Sequence, residues 1–253
     1  MKTVLTIAGF DPSGGAGLQA DLRVFHAFDL YGLSAVAALT AQNTNGVAAV
    51  KAVDGHFLRK QLDLLLREMV PGATKIGMLL SADNVEVVAA MCKKHLLQNV
   101  VLDPVIVSSS GRPLAERDVP GLIRKKIFPY CTLITPNIHE ASVLSGIPIR
   151  TEADMAEAAI ILKGFGPGQV IITGGHRTGN AADMVYDGSF YYLNGKRAVG
   201  EYHGTGCVFS SALAALLARG EDPHTAARGA KRFMARSFRK SFRPGKGMRL
   251  FSL

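Results

Sequence analysis

The run His203-Gly204-Thr205-Gly206-Cys207 opens onto Val208–Leu217, a stretch of strong helix formers. Two glycines and a threonine at that junction let the backbone place its amides ahead of a helix N-terminus. Unsatisfied N–H groups and the positive end of the helix dipole attract phosphate there. Cys207 falls in the same field, which favours thiolate over thiol. Such a loop can hold a transferring phosphoryl group and offer a base to an attacking hydroxyl. The same residues equally describe a short glycine turn before a buried helix, with Cys207 as a small core residue.

Other groups carry chemistry at comparable junctions. Gly9-Phe10-Asp11-Pro12-Ser13-Gly14-Gly15-Ala16-Gly17 precedes a helix holding Gln19 and Asp21. It lacks the lysine and spacing of a P-loop and does not match GxGxxG in the usual frame. Its glycine density favours backbone contact with a small ligand over a plain connection. Gln42 and Asn43 offer paired donors and acceptors to a planar heterocycle, or cap a turn. Asp103 and Glu140 are carboxylates suited to magnesium through water, although a lone carboxylate at a strand end is more often a cap. Gly174 and Gly175 leave room for a nucleotide, while His176 has no evident partner and reads as structural.

The elements that must position these groups alternate along the chain. Short apolar runs at Val4–Ala8, Ala35–Leu39, Thr74–Met78, Val100–Leu102, Leu133–Thr135 and Val170–Thr173 predict strands. Between them lie helical faces such as Leu18, Leu22, Phe25 and Phe28, then Leu58, Leu62, Leu65 and Met69, then Val85, Val88 and Cys92. Alternation of this kind predicts a mostly parallel sheet between two helical layers. Met184–Tyr186 and Phe190–Leu193 predict an antiparallel hairpin at one edge. No Pro/Ser-rich linker interrupts the chain, so residues 1–253 are expected to form one α/β/α domain. In such sheets ligands bind beyond the C-terminal strand ends, where loop 9–17, Met78, Asp103, Asn137, Glu140 and Gly174-Gly175-His176 fall.

Composition limits the alternatives. Three scattered cysteines, Cys92, Cys131 and Cys207, indicate neither a zinc site nor a disulfide framework, and a reducing cytoplasm is the expected compartment. No run of about 18 uncharged apolar residues predicts a membrane span, and the N-terminus lacks the pattern of a signal peptide. The net charge of +9 is concentrated at the end of the chain: residues 223–253 carry nine of the 29 basic side chains and none of the 20 acidic ones. Arg228, Arg232, Arg236 and Lys240 recur every four residues, predicting a helix with a basic outer face and an apolar side at Ala230, Phe233 and Met234. A solvated face is favoured over nucleic-acid binding, since no stacking motif is interleaved. Attraction of a polyanionic nucleotide is a third reading.

Taken in order, several blocks resemble the ribokinase-like superfamily, and within it the hydroxymethylpyrimidine/phosphomethylpyrimidine kinases of thiamin biosynthesis. The blocks are Thr6–Gly9 with Asp11–Gly17 and Gln19–Asp21, then Ala38–Thr44, Lys75–Met78, Leu102–Val105, Thr135–Asn137 with Glu140-Ala141, and His203–Cys207. The resemblance covers residues 3 to about 219 and implies a ribokinase-like three-layer α/β/α sandwich acting as a homodimer. It implies that ATP and Mg²⁺ are used to phosphorylate 4-amino-5-hydroxymethyl-2-methylpyrimidine and then its monophosphate. By the same resemblance Ala16, Asp21, Gln42, Met78 and Val107 form the pyrimidine pocket. Asp103 and Glu140 organise Mg²⁺, and Asn137, Thr173 and Gly175 meet ATP. The amides of Gly204, Thr205, Gly206 and Cys207 form the anion hole, and Cys207 takes the proton from the alcohol.

The chain departs from the family pattern at Thr173, where many relatives have lysine, at Ser109, and at Glu201-Tyr202. The part after about residue 220 is expected not to resemble the family's usual end. Two rival readings remain open from sequence. One is a pyridoxal or pyridoxine kinase on the same fold. The other is a non-catalytic pyrimidine-sensing or RNA-associated protein.

Overall fold

Strand β1 (Thr3–Phe10) runs up the middle of the molecule with six consecutive buried residues, Val4–Gly9. It lies between β2 (Tyr31–Asn43) and β4 (Ala73–Ile76), parallel to both. The computed structural model describes residues 1–108, 111–174, 181–196 and 198–253. Its main sheet has nine strands in the order β3-β2-β1-β4-β5-β6-β7-β8-β9. Here β3 is Gly46–Ala52, β5 Val100–Leu102, β6 Cys131–Ile134 and β7 Gln169–Ile172. β2 through β7 pair in parallel, apart from β3, which is antiparallel to β2. The expected hairpin, β8 (Ala181–Tyr186) and β9 (Phe190–Gly195), closes the far edge antiparallel. The sheet therefore carries an antiparallel strand at both edges. Strand β3, which no expectation covered, is the second.

Alternation along each central strand sorts side chains to two faces. Leu5, Ile7, Ile76, Leu102, Ile134 and Ile172 meet one apolar layer. It comes from α2 (Gly55–Glu68), α3 (Ala82–His95), α4 (Val119–Lys126), α5 (Ile138–Ser145) and α6 (Glu152–Lys163). Val4, Ala73, Val101, Leu133 and Ile171 meet the other. That layer holds α1 (Gly17–Ala27), α7 (Thr205–Arg219) and α8 (Pro223–Arg239). Both faces of the sheet are covered, as parallel strands require, and the three-layer α/β/α expectation holds. Among the described residues no helix is long and apolar enough to cross a membrane.

Local chemistry sets the helix starts. The Asp54 carboxylate caps α2, the Ser81 hydroxyl caps α3, and Asp222 caps α8 just ahead of Pro223. Asn137 with Glu140, and Thr151 with Asp154, form reciprocal capping boxes at α5 and α6.

The basic C-terminal segment is helical only as far as Arg239. Ser241–Phe242 (β10) and Leu250–Phe251 (β11) then form a short antiparallel ribbon. Phe251 is buried and packs against Tyr202 and Phe238. The Arg249 backbone accepts from His203 N–H at 3.0 Å and donates to the Glu201 carbonyl at 2.9 Å. The tail thus fastens the chain just ahead of the Gly204–Cys207 loop.

Candidate active site

Loop 9–17 is organised by one carboxylate. Asp11 Oδ1 accepts from the Ser13 amide and hydroxyl, each at 2.8 Å. Its Oδ2 accepts from the Ala16 amide at 2.8 Å and meets His203 Nε2, also at 2.8 Å. Burial opposes the charge of Asp11, but hydrogen bonds from His203, Ser13 and Gln42 with the nearby imidazole outweigh it, holding the carboxyl far below the usual range. His203 in turn lies against Gly15, where an added Cβ would come within 2.3 Å of the His203 ring. At Gly204, with φ +84°, a Cβ would stand 1.9 Å from the Gly15 carbonyl oxygen. The two glycine loops therefore interlock backbone against backbone.

Helix α7 starts immediately beyond. Its N-cap is Gly204, which provides no side-chain cap, so the first-turn amides stay open toward the strand ends. A Cβ at Gly206 would lie 3.4 Å from an Asp103 carboxylate oxygen, which puts that carboxylate against the first turn. Asp103 also accepts from Ser210 Oγ at 3.2 Å. Glu140 is close enough to feel the charge of Asp103. Burial and that charge raise Glu140 to about 8, and burial raises Asp103 as well, against the pull of Lys75. Glu140 is at the same time the N3 residue of its capping box, accepting from the Asn137 amide at 2.9 Å. Asn137 pairs through a β-bridge with Thr173, which brings these two residues side by side at the ends of β6 and β7.

On the other flank Met78 packs with Ala38 and Leu114 in a small apolar cluster, its Cε against Gly9. Ala16 is the N-cap of α1. Gln42 turns its side chain to Asp11, whereas Asn43 caps the β2–β3 turn by accepting from the Asn45 amide at 2.8 Å. Val107 follows β5, bridged to Pro113, and packs against the opposite apolar layer.

The family model for phosphomethylpyrimidine kinase matches residues 11–251. The chain is 37% identical over 251 residues to the hydroxymethylpyrimidine/phosphomethylpyrimidine kinase of Bacillus subtilis, covering 96% of this chain and 91% of that one. The chain belongs to the phosphomethylpyrimidine kinase family. It is also 38% identical to a thiamine biosynthesis bifunctional protein of Geobacter sulfurreducens over 97% of its own length, spanning 51% of that longer protein. A Bacillus subtilis pyridoxal kinase solved as an ADP complex superposes with a TM-score of 0.93 at 36% identity, covering 99% of this chain and 97% of that one. The family match runs through residue 251, so the expectation that the family pattern ends near residue 220 is overturned.

Two expected features of this kinase take a different form. Cys207 was expected to carry a lowered pKa. Instead burial pushes its thiol up to about 12, with the charges of Asp103 and Asp21 adding to the rise and Lys75 opposing it. Desolvation of an anion outweighs a single favourable charge. Asp21 was expected to face the pyrimidine. Its carboxylate is instead sealed in the core, accepting from Lys75 Nζ, Thr6 Oγ1 at 2.6 Å and Ser211 Oγ at 2.7 Å. Gly175, His176 and Ser109 lie outside the described residues.

The site also contains residues to which sequence reasoning attached no role: Asp11, His203, Ser210 and Lys75. No signal marked Lys75, since Ala73-Thr74-Lys75-Ile76 is half polar; only the burial of all four residues makes the lysine demand an anion.

The donor set suits a hard divalent cation. Burial raises both carboxylates and the charge of Asp103 adds to the rise at Glu140, the situation a cation between them reverses. Among the described residues no cluster of three or more histidine, cysteine or acidic side chains could hold a metal. A cation here would be held by Asp103 and Glu140 with water and phosphate oxygens, the usual manner of Mg²⁺.

Proposed function

We propose that this enzyme uses ATP to phosphorylate 4-amino-5-hydroxymethyl-2-methylpyrimidine, and then the resulting monophosphate. The uncapped start of α7, set against Asp103 and interlocked with loop 9–17, carries this reading: it is an anion site facing an acceptor loop. Phosphoryl transfer asks the protein mainly for positioning and for stabilisation of spreading negative charge. The Gly204–Cys207 amides receive the transferring group. Loop 9–17, with Ala16, Gln42 and Met78, holds the acceptor ring, and Val107 lines its wall. Asn137 and Thr173 meet the nucleotide phosphates, together with Gly175. Asp103 and Glu140 would hold Mg²⁺, which when bound neutralises phosphate charge.

Cys207 receives the proton of the acceptor hydroxyl. The resting thiol is neutral, and its own hydrogen bond goes to Asp103. That carboxylate can therefore draw the thiol proton off as sulfur takes the one from the alcohol. Transfer through a loose transition state needs this help only late, as the O–P bond forms. The proposed setting is the cytoplasm, with the enzyme working as a homodimer.

The likeness to the pyridoxal kinase supports a second reading, a pyridoxal-phosphorylating enzyme on the same frame. Side-by-side measurement of kcat/KM for the two alcohols tests the proposal. The aminopyrimidine is expected to be preferred by at least about tenfold, the discrimination that one net hydrogen bond supplies. Preference for pyridoxal overturns it.

A further inference from the structure

Lys75 stands in the middle of β4, a strand whose four residues are all buried. Its side chain is 0% exposed, and Nζ donates to Asp21 at 3.1 Å and 2.9 Å. The same carboxylate accepts from Thr6 on β1 and Ser211 on α7. Three strand and helix neighbours thus converge on one acid in α1. Ser211 lies one helical turn beyond Cys207, on the same face of α7, and Ser210 reaches Asp103. A Cβ at Gly77 would come within 2.8 Å of Lys75 Nζ, so the amine lies directly under the backbone leading to Met78. The ammonium is therefore beneath the acceptor pocket and behind the first turn of α7.

As a brace, this pair is a poor choice. A buried ion pair gives back in desolvation much of what it gains in attraction, and apolar side chains of similar volume serve as well. Its placement suits another task. Negative charge gathers around it from Asp103 and from an incoming phosphoryl group. Burial alone would push the lysine down, yet the charges of Asp21, Cys207 and Asp103 raise it above its ordinary value, so it stays protonated.

We propose that Lys75, held by Asp21, is a positioning residue for phosphoryl transfer: its ammonium is the fixed, water-excluded positive charge beneath the anion hole that favours the transition state. This inference rests on the kinase reading above. A preorganised charge in a dry site acts on kcat, because it meets charge that develops only during transfer.

The test compares wild type with Lys75→Met and with the neutral double variant Lys75→Met/Asp21→Asn, reading Tm, kcat and both KM values. The single variant strands a buried carboxylate and loses stability. The double variant is expected to recover most of the Tm while kcat stays at least about tenfold below wild type, with both KM values within about twofold. Recovery of kcat together with Tm, or a loss confined to KM, overturns the proposal in favour of a structural brace.

Thr6→Val decides the matter even if the double variant fails to fold. It removes one hydrogen bond to Asp21 and keeps the charge, so Tm is expected to fall while kcat stays within about twofold. A kcat that falls in step with Tm overturns the proposal. Wild-type turnover in the same assay reports separately on the acceptor. Should another alcohol be the one phosphorylated, the comparison is made with that alcohol.

Discussion

Asp11 and His203, 192 positions apart in the chain, meet at 2.8 Å between Oδ2 and Nε2, both largely shielded from water. His203 leads directly into Gly204 and the open start of α7, and Asp11 organises the loop proposed to hold the acceptor. One contact therefore sets the distance between the two halves of the site. His203 Nδ1 finds no hydrogen-bond partner among the described residues, so Asp11 is the anchor of that ring.

Replacing Asp11 with asparagine leaves the shape and removes the charge. The expected cost is about 2 kcal/mol, typical for weakening a buried charged hydrogen bond, seen as a lower denaturation midpoint. Because both loops loosen, KM for ATP and for the alcohol should rise together. A rise in only one would show that the contact does not couple them. Since Asp11 has a depressed pKa in the fold, its contribution is present at neutral pH and disappears only in strong acid.

Cys207→Ala should lower kcat by about 10²–10⁴, the range of general-base assistance, and leave Tm nearly unchanged. With a thiol raised to about 12, alkylation by iodoacetamide at pH 7.5 should run at least about tenfold slower than for an unfolded cysteine. Fast labelling would contradict the neutral, partly buried thiol, and a fully active alanine variant would remove its assigned role.

Glu140 gives the clearest pH signature. Its pKa is raised to about 8 by burial and by Asp103. A carboxyl raised in the fold favours the folded state most below its unfolded value, and that contribution is lost as pH climbs through the folded value. Metal-free protein should therefore lose roughly 5 °C of Tm between pH 6 and pH 9. Glu140→Gln should flatten this slope, and added Mg²⁺ should offset it in wild type. Melting curves that coincide with and without Mg²⁺ at pH 9 would argue against a cation held by this pair.

Gly204→Ala tests the interlock of the loops. The variant adds a left-handed strain of about 1 kcal/mol and a Cβ 1.9 Å from the Gly15 oxygen. Since backbone cannot yield cheaply at both loops, activity should be nearly abolished and Tm lowered. Unchanged kinetics would mean that the two loops do not pack as described.

Much of the frame was legible in the chain. Short apolar runs such as Val4-Leu5 and Val101-Leu102, alternating with helical faces, predict a sheet between two helical layers, and those residues do enter opposite layers. Strand ends were less legible. Met78 and Thr173 lie beyond strands that stop at Ile76 and Ile172, because their side-chain types are those of the strand before them and carry no mark of where the ladder ends. Strand β3 escaped because Gly46–Ala52 is an edge with no buried residue, without the apolar alternation that marks a strand with one face in the core. The C-terminal helix was visible in its period of four. The ribbon after it was not, since two-residue strands carry no periodicity.

Sequence alone determined which groups gather at the C-terminal strand ends: glycine loops, Asp103, Glu140, Asn137 and the bare start of α7 follow from composition and order. Tertiary structure decided their chemical states. Cys207 is a neutral thiol because desolvation depends on everything packed around it, not on its place at a helix start. Asp21 is a lysine's partner because the folded interior brings one side chain of α1 and one of β4 together away from water. Such energies depend on distance and on exclusion of water, which no spacing along a chain encodes.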